Sequence, residues 1–562
     1  MTEIPTGISL SMIAGIPSQY GLYSGIMGGI TYVIFGGCKD INVGPTSLMS
    51  VFVRSKVAVM GPQGALAITL LSGISILMAG ILRLGFLVDF FSFPVASGFT
   101  TAAAISIATS QLRQLFGITG TSPDGFIDEW KSFIGDIGKV RMWDSLLGCA
   151  SVLFLIGLRE LRKFGSLKNK PEWSKNRNIL SKVIFYFCLS GNALAVITGI
   201  SIAYIAEQYY NSTPLILAGQ VDGGLPTFSL PPFSITWNNT YFNFSDILSE
   251  YGSLLVFCPL IAILEHIAIV KAFSKGKLVD PTQEMLALGI ANVTSSFVQS
   301  MPVTGSFTRS TVNNASGVRT TMAGLITSCG IIIALALFSG IFKYIPKTTL
   351  AAVIIVAMFY LCHLSVIGVL WRTKKLDLIP FFVAVISCLL LSLEYGIIIG
   401  TGANLLFVLY ESARPKLYFD KTFIRDQMVY LVCLKGSLHF PSAEYIRYKI
   451  LKQCQEEKST VIVDGEFVRT MDATTANSFK HLLEDFEVRN IKLMFWNFNK
   501  SVTDICTGDN KVLIEHFKNG ALEDLVEEYR SFNNDNNGCS HFSTVIQTRT
   551  RFKYELLHYH CL

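Results

Sequence analysis

Charge is scarce in this chain. Of its 562 residues only 15% are Asp, Glu, Lys or Arg, against 51% hydrophobic residues, and the mean hydropathy is +0.46. That is more apolar material than soluble cores require, which excludes an ordinary soluble protein and points to a membrane protein. Residues 206–250 lack Lys and Arg altogether. The twelve cysteines include no C-x-x-C pair, so neither a disulfide framework nor a zinc site is implied. No Walker lysine, catalytic triad or metal-ligand spacing occurs, and no cofactor is expected. The opening, MTEIPTGISLSMIAGIPSQYG, lacks the basic n-region of a signal peptide, and Pro5 and Gly7 break its apolar stretch. It reads as the second half of a transmembrane helix whose first half is missing.

What is present is a series of apolar runs, each bounded by charges or by Pro and Gly, at roughly 20–37, 62–82, 95–116, 143–158, 180–205, 252–272, 284–301, 320–342, 348–370, 376–392 and 394–411. They predict an α-helical membrane domain over residues 1–412. The loop RELRKFGSLKNKPEWSKNR, residues 159–177, carries seven Lys/Arg against two Glu and is expected to be cytoplasmic, which puts the lysine-free residues 206–250 outside. That outer loop contains three sequons, at Asn211, Asn238 and Asn243, which are candidate glycosylation sites. The net charge of +6 comes from basic residues in short loops, a pattern of membrane orientation rather than of nucleic-acid binding.

Beyond a linker at 413–427, the composition becomes that of a soluble domain over 428–531, placed in the cytosol by the flanking basic residues. MVYLVCLKGSLHF, STVIVDGEF and NIKLMFWNF read as strands, with SAEYIRYKILKQCQEE and ATTANSFKHLLEDFEVR as helices, so this domain is α/β. Residues 532–562 are polar and poorly patterned and are expected to be a disordered tail.

Two segments interrupt the apolar pattern in matching ways. KDINVGPTSLMSVFVRS and PVTGSFTRSTVNNASG each place a short β-branched piece before a glycine, Gly44 or Gly305, and then open a half-length helix. Pro45 suits a first helical position and Ser306 an N-cap. Paired, interrupted segments are the sequence mark of a transporter site built from broken helices. Each helix start offers unpaired N–H groups and about +0.5 charge, so two facing starts favour an anion. Arg309 adds a full charge that costs at least about 2.5 kcal/mol at mid-membrane depth unless it faces protein, water or an anion. No acidic residue is its neighbour in sequence.

AGIPSQYGLYSGIMGGITYVIFGGCKDINVGPTSLMS and ALGIANVTSSFVQSMPVTGSFTRSTVNNASGVRT resemble the sulfate permease (SulP) family, the solute carrier 26 proteins of animals, closest to the sodium-independent sulfate anion transporter branch. The soluble domain resembles their STAS domain. The resemblance implies an inverted 7+7 transmembrane repeat divided into core and gate, a homodimer, and an elevator-like movement of the site. Carried over by position, it implies an anion site made of Thr6, Leu10, Thr46, Ser306, Phe307, Thr308 and Arg309. It further implies sulfate and other small anions as substrates, and possible cytosolic partners through the STAS domain. The expected home is the plasma membrane or an endolysosomal membrane.

Glu265, in LIAILEHIAIVKAF, is an ionisable group deep in an apolar run and a candidate proton-coupling site. His266 is adjacent, but successive helix positions point apart. In the STAS-like domain, Asp472 opens a helix at the loop where bacterial relatives carry a phosphorylated serine, with Thr474 close by. The function expected is secondary transport of inorganic anions, sulfate foremost, coupled to protons or in exchange for chloride, bicarbonate or oxalate. The alternatives are an anion channel, a voltage-responsive motor on the same fold and a non-transporting scaffold.

Overall fold

The computed structural model describes residues 3–518 except 121–124, 163–174, 211–212, 220–223, 275–277, 363, 392, 425–426, 457–458 and 509–513. Asn211 and the tail 532–562 therefore lie outside the described residues. The chain divides into two compact units, Met1–Ala403 and Asn404–Leu562.

The first unit begins with α1 (Glu3–Ala14), α2 (Ser18–Phe35), the short strand β1 (Val43–Pro45), α3 (Ser47–Ile81), α4 (Phe93–Leu115) and α5 (Phe126–Gly135). It continues with α6 (Met142–Arg162), α7 (Lys175–Leu189), α8 (Gly191–Tyr210), the hairpin β2 (Ile235–Trp237) and β3 (Thr240–Phe242), and α9 (Phe244–Tyr251). The second half holds α10 (Leu254–Phe273), α11 (Pro281–Ser296), β4 (Val303–Gly305), α12 (Phe307–Ala315), α13 (Ala323–Phe342), α14 (Lys347–Leu361), α15 (Ser365–Thr373), α16 (Leu378–Leu390) and α17 (Leu393–Ala413). Among the described residues, six helices are long and apolar enough to cross a membrane, or up to eight if each bent pair is one span. On α13, Ile326, Ile333 and Leu337 stand exposed, a surface suited to hydrocarbon. This is an α-helical polytopic membrane protein.

The helix breaks follow from local chemistry. The expected half-helix after Pro45 and the run 62–82 join as α3, kinked where Gly61 takes φ 69° and Pro62 withdraws its N–H. A side chain at Gly61 would also meet the Trp237 ring at 2.5 Å. The run 180–205 is two helices, α7 and α8, bent by 65°. Glycines let α3 and α11 approach closely: a Cβ at Gly73 would come within 2.7 Å of the Val293 amide, and one at Gly289 within 2.7 Å of the Leu77 amide. Leaving out the short α5, and counting the halves of α3 separately and α7–α8 and α14–α15 as single segments, seven precede the 206–250 stretch and seven follow it. That order is consistent with the inverted repeat.

The second unit carries a five-stranded sheet in the order β5 (Leu417–Ile424), β6 (Gln427–Leu438), β7 (Thr460–Met471), β8 (Lys492–Trp496), β9 (Phe517–Lys518). β6 to β9 run parallel, joined by α18 (Phe440–Gln453), α19 (Ala473–Val488) and α20 (Lys500–Thr507), while β5 pairs antiparallel with β6. The parallel strands bury Val432, Leu434, Val461, Val463 and Phe495 against Phe479 and Phe486. The 413–427 stretch, expected as a linker, contains β5, so the sheet starts earlier than residue 428. Asp420 and Lys421 hide this strand in the sequence; at a sheet edge, charges are tolerated and discourage further pairing.

Candidate functional site

The two interrupted segments meet. β1 and β4 pair antiparallel, with Val43 opposite Gly305, Gly44 opposite Thr304 and Pro45 opposite Val303. Six residues cannot form a stable sheet in water, but here both strands are wholly buried among helices. The pairing sets the starts of α3 and α12 side by side. The side chains of their N-caps, Thr46 and Ser306, accept no hydrogen bond from their own helices, whereas those of Asn243, Asp280, Asp472 and Asn499 cap α9, α11, α19 and α20. The starts of α3 and α12 thus lack the N-cap side-chain bond found at those other helices, and a helix start of this kind is suited to an anion. Pro45 departs from expectation: it ends β1 instead of opening the helix. Proline suits the end of a ladder, where no N–H is needed, and its carbonyl accepts a bond from Arg309.

Arg309 is buried, and its Nε donates to Asn42 Oδ1 at 2.8 Å while Nη1 donates to the Pro45 carbonyl at 2.7 Å. Its buried Nη2 has no hydrogen-bond partner. Sequence gave Arg309 no acidic neighbour, but the fold supplies one from α1: Glu3, also buried, places Oε1 3.7 Å from Nε. Asn42 bridges the two, since its Nδ2 also donates to Glu3 Oε2 at 3.3 Å. Sequence reasoning missed Glu3, although a lone carboxyl at the head of an apolar helix was a usable signal.

Glu265 faces the same break. The Thr46 hydroxyl donates to its Oε2 at 3.2 Å, which explains why Thr46 does not cap α3. His266 turns the other way, as successive helix positions must. Its Nε2 bonds Glu284 Oε2 at 2.9 Å, where the Tyr32 hydroxyl also donates at 2.8 Å, and the Gly37 amide donates to Glu284 Oε1 at 3.0 Å. This buried network ties α2, α10 and α11 together. Gly305 makes room for it, since a Cβ there would lie 2.9 Å from His266 Nδ1.

One cavity of about 380 Å³ opens onto these groups. Thr6 and Leu10 of α1, Thr46, Glu265, Ser306, Phe307, Thr308 and Arg309 all line it, so the fold gathers every residue expected to bind substrate, together with the candidate proton site. Gly44 and Gly305 stand behind, in the paired strands. The facing wall comes from α6, α8 and α14, through Leu155, Arg159, Asn192, Val353 and Met358 among others. The cavity thus lies between two groups of helices, with hydroxyls, two helix starts and the Arg309 guanidinium on one side and Arg159 and Arg162 of α6 on the other. That donor set can bind a small anion. Among the described residues, no group of three His, Cys, Asp or Glu could hold a metal ion.

Two sequons can be placed. Asn238 sits at the turn of the β2–β3 hairpin with φ 48° and is exposed; Asn243 is exposed and caps α9. In the sheet domain, Asp472 Oδ1 accepts the Thr475 amide at 2.9 Å and its hydroxyl at 2.8 Å, and Oδ2 accepts the Phe440 amide. Burial opposes ionisation of this carboxyl, but the bonds from Thr475 and Phe440 outweigh it and hold Asp472 below the usual carboxylate range. Thr474 is exposed in the first turn of α19.

Residues 1–384 match the model of the sulfate permease family, and residues 421–519 match that of the STAS domain. The chain is 36% identical to a sodium-independent sulfate anion transporter of Bos taurus, over 88% of this chain and 81% of that protein. It is 29% identical to the chloroplastic sulfate transporter 4.1 of Arabidopsis thaliana, over 89% and 74% of the two. Its fold superposes on the murine solute carrier 26 member A9 anion transporter, in the inward-facing state, with a TM-score of 0.78 at 19% identity, covering 94% and 89% of the two chains. The transmembrane domain of a cyanobacterial bicarbonate transporter, BicA, superposes with a TM-score of 0.53 at 19% identity, covering 71% and 93%.

Proposed function

From the premise that the chain belongs to the sulfate permease family and is a membrane transporter rather than an enzyme, we propose that it carries inorganic anions, sulfate foremost, as a secondary transporter. The observation that carries this reading is the cavity on which two helix starts without side-chain caps converge with Arg309. The named activity of the Bos taurus relative supports sulfate. The division of the cavity wall between two groups of helices supports an elevator-like movement, in which α1, α3, α10 and α12 carry the anion past α6, α8 and α14. A homodimer, N-glycans on the outer loop, a cytosolic STAS domain open to partners, and residence in the plasma or an endolysosomal membrane complete the reading.

Glu265 supplies the coupling. At the paired breaks, two helix starts contribute about +1 and Arg309 another +1, Glu3 and Glu265 each withdraw one charge when ionised, and Arg159 and Arg162 add positive charge from α6. Protonating Glu265 raises the sum by one whatever the state of Glu3. A proton on Glu265 therefore favours the sulfate dianion, and its loss favours chloride or bicarbonate. The test is counterflow of labelled sulfate in vesicles of reconstituted full-length protein. A carrier gives saturable uptake that is accelerated by unlabelled sulfate inside. Uptake that neither saturates nor responds to internal sulfate would overturn the proposal.

A further inference from the structure

Glu3 does not line the cavity, yet it is the acidic group paired with the arginine that does. Glu3 is buried, with a relative exposure of 3%, and so is costly to keep charged without a compensating cation. Three features show a place built for it. Asn42 addresses both groups at once, accepting from Arg309 Nε and donating to Glu3 Oε2. A Cβ on Gly44 would meet Glu3 Oε1 at 2.6 Å and Arg309 Nη2 at 2.9 Å, so the bare backbone of β1 is what lets the two share this space. A Cβ on Gly25 of α2 would likewise meet Glu3 Oε1 at 2.8 Å. The pair is close without a direct hydrogen bond: Oε1 and Nη2 are both buried and both lack a hydrogen-bond partner.

We propose that Glu3 is a fixed counter-charge that acts through Arg309 and sets the preference of the cavity between monovalent and divalent anions. The inference rests on reading the cavity as an anion site. A carboxylate behind the arginine opposes any anion in front of it, and it opposes a dianion twice as strongly as a monoanion. Glu3 thus holds the site away from full complementarity with sulfate and keeps monovalent anions competitive. It is a positioning residue, and its effect falls on the ratio of substrates. A merely structural role would change the amount of folded protein and leave that ratio alone.

The experiment measures initial uptake of labelled sulfate and chloride into vesicles of reconstituted full-length protein, for wild type, Glu3→Gln and Glu3→Asp. Glu3→Gln keeps an acceptor for Asn42 and should raise the sulfate-to-chloride ratio on the order of tenfold, with KM for sulfate falling more than that for chloride. Glu3→Asp retains the charge and should stay near the wild-type ratio. Should Glu3→Gln fail to fold, Asn42→Asp brings a second carboxylate against Arg309 and should lower the ratio. An unmoved ratio in Glu3→Gln, or an unmoved or raised ratio in Asn42→Asp, overturns this inference alone. A wild type that carries neither anion overturns the transport reading and this inference with it.

Discussion

Thr46 and Glu265 meet across the break between β1 and α3, the threonine hydroxyl donating to Glu265 Oε2 at 3.2 Å. The residue that opens one anion-facing helix is thereby tied to the carboxyl whose charge the anion must tolerate. In the proposed coupling, a proton on Glu265 would remove that repulsion.

Sulfate uptake should accordingly rise as the outside pH falls. Glu265→Gln, which mimics the protonated carboxyl, should keep sulfate exchange and lose its response to an imposed pH gradient. Vesicle uptake with and without the gradient checks this. A Gln variant that still follows the gradient would make Glu265 a structural carboxyl.

Gly44→Ala should disturb the site, because its Cβ meets the Glu3 carboxyl and the Arg309 guanidinium below 3 Å. Overpacking of this kind costs about 1–3 kcal/mol, and transport should fall with it. Gly330→Ala, where nothing lies within 4 Å, serves as the control and should be nearly silent. Thermal unfolding of the solubilised protein compares the two.

Enzymatic removal of N-glycans should shift the mass of the cellular protein, and the shift should vanish when Asn211, Asn238 and Asn243 are all changed to Gln. Asn238 and Asn243 are exposed, which glycosylation requires. A glycan on Asn499 instead, within the sheet domain, would invert the topology.

Asp472 should make the start of α19 sensitive to acid. Its folded-state affinity for protons is depressed, so its contribution is present above the unfolded value of about 3.9 and is lost as pH falls through the still lower folded value. Asp472→Ala should cost about 0.5–2 kcal/mol at neutral pH. Hydrogen exchange of the first-turn amides of α19 in the full-length protein would show it, and unchanged protection in the variant would contradict the cap's role.

Much of this was legible in the sequence, for reasons that differ by element. The interrupted segments announced themselves through Gly44, Pro45 and Gly305, since local breaks leave local marks. Their antiparallel pairing came from packing and had no local signal. Helix periodicity correctly separated Glu265 from His266, but the partners of His266, Glu284 and Tyr32, come from other helices. Glu3 carries no mark in the sequence as the partner of Arg309, because the two lie far apart in the membrane unit's sequence and the pair is made through space. β5 was overlooked because an edge strand carries charges on a face that needs no core.

The central claim is that Arg309, with the paired helix starts, binds the transported anion. The most direct measurement is the sulfate concentration dependence of uptake by reconstituted wild type, Arg309→Gln and Arg309→Lys at matched protein density. The account expects Arg309→Gln to lose uptake by on the order of tenfold or more, since one full positive charge leaves the cavity wall. Arg309→Lys should recover only part of it, because an ammonium cannot reproduce the fork that holds Asn42 and the Pro45 carbonyl. Wild-type affinity and rate in Arg309→Gln would contradict it.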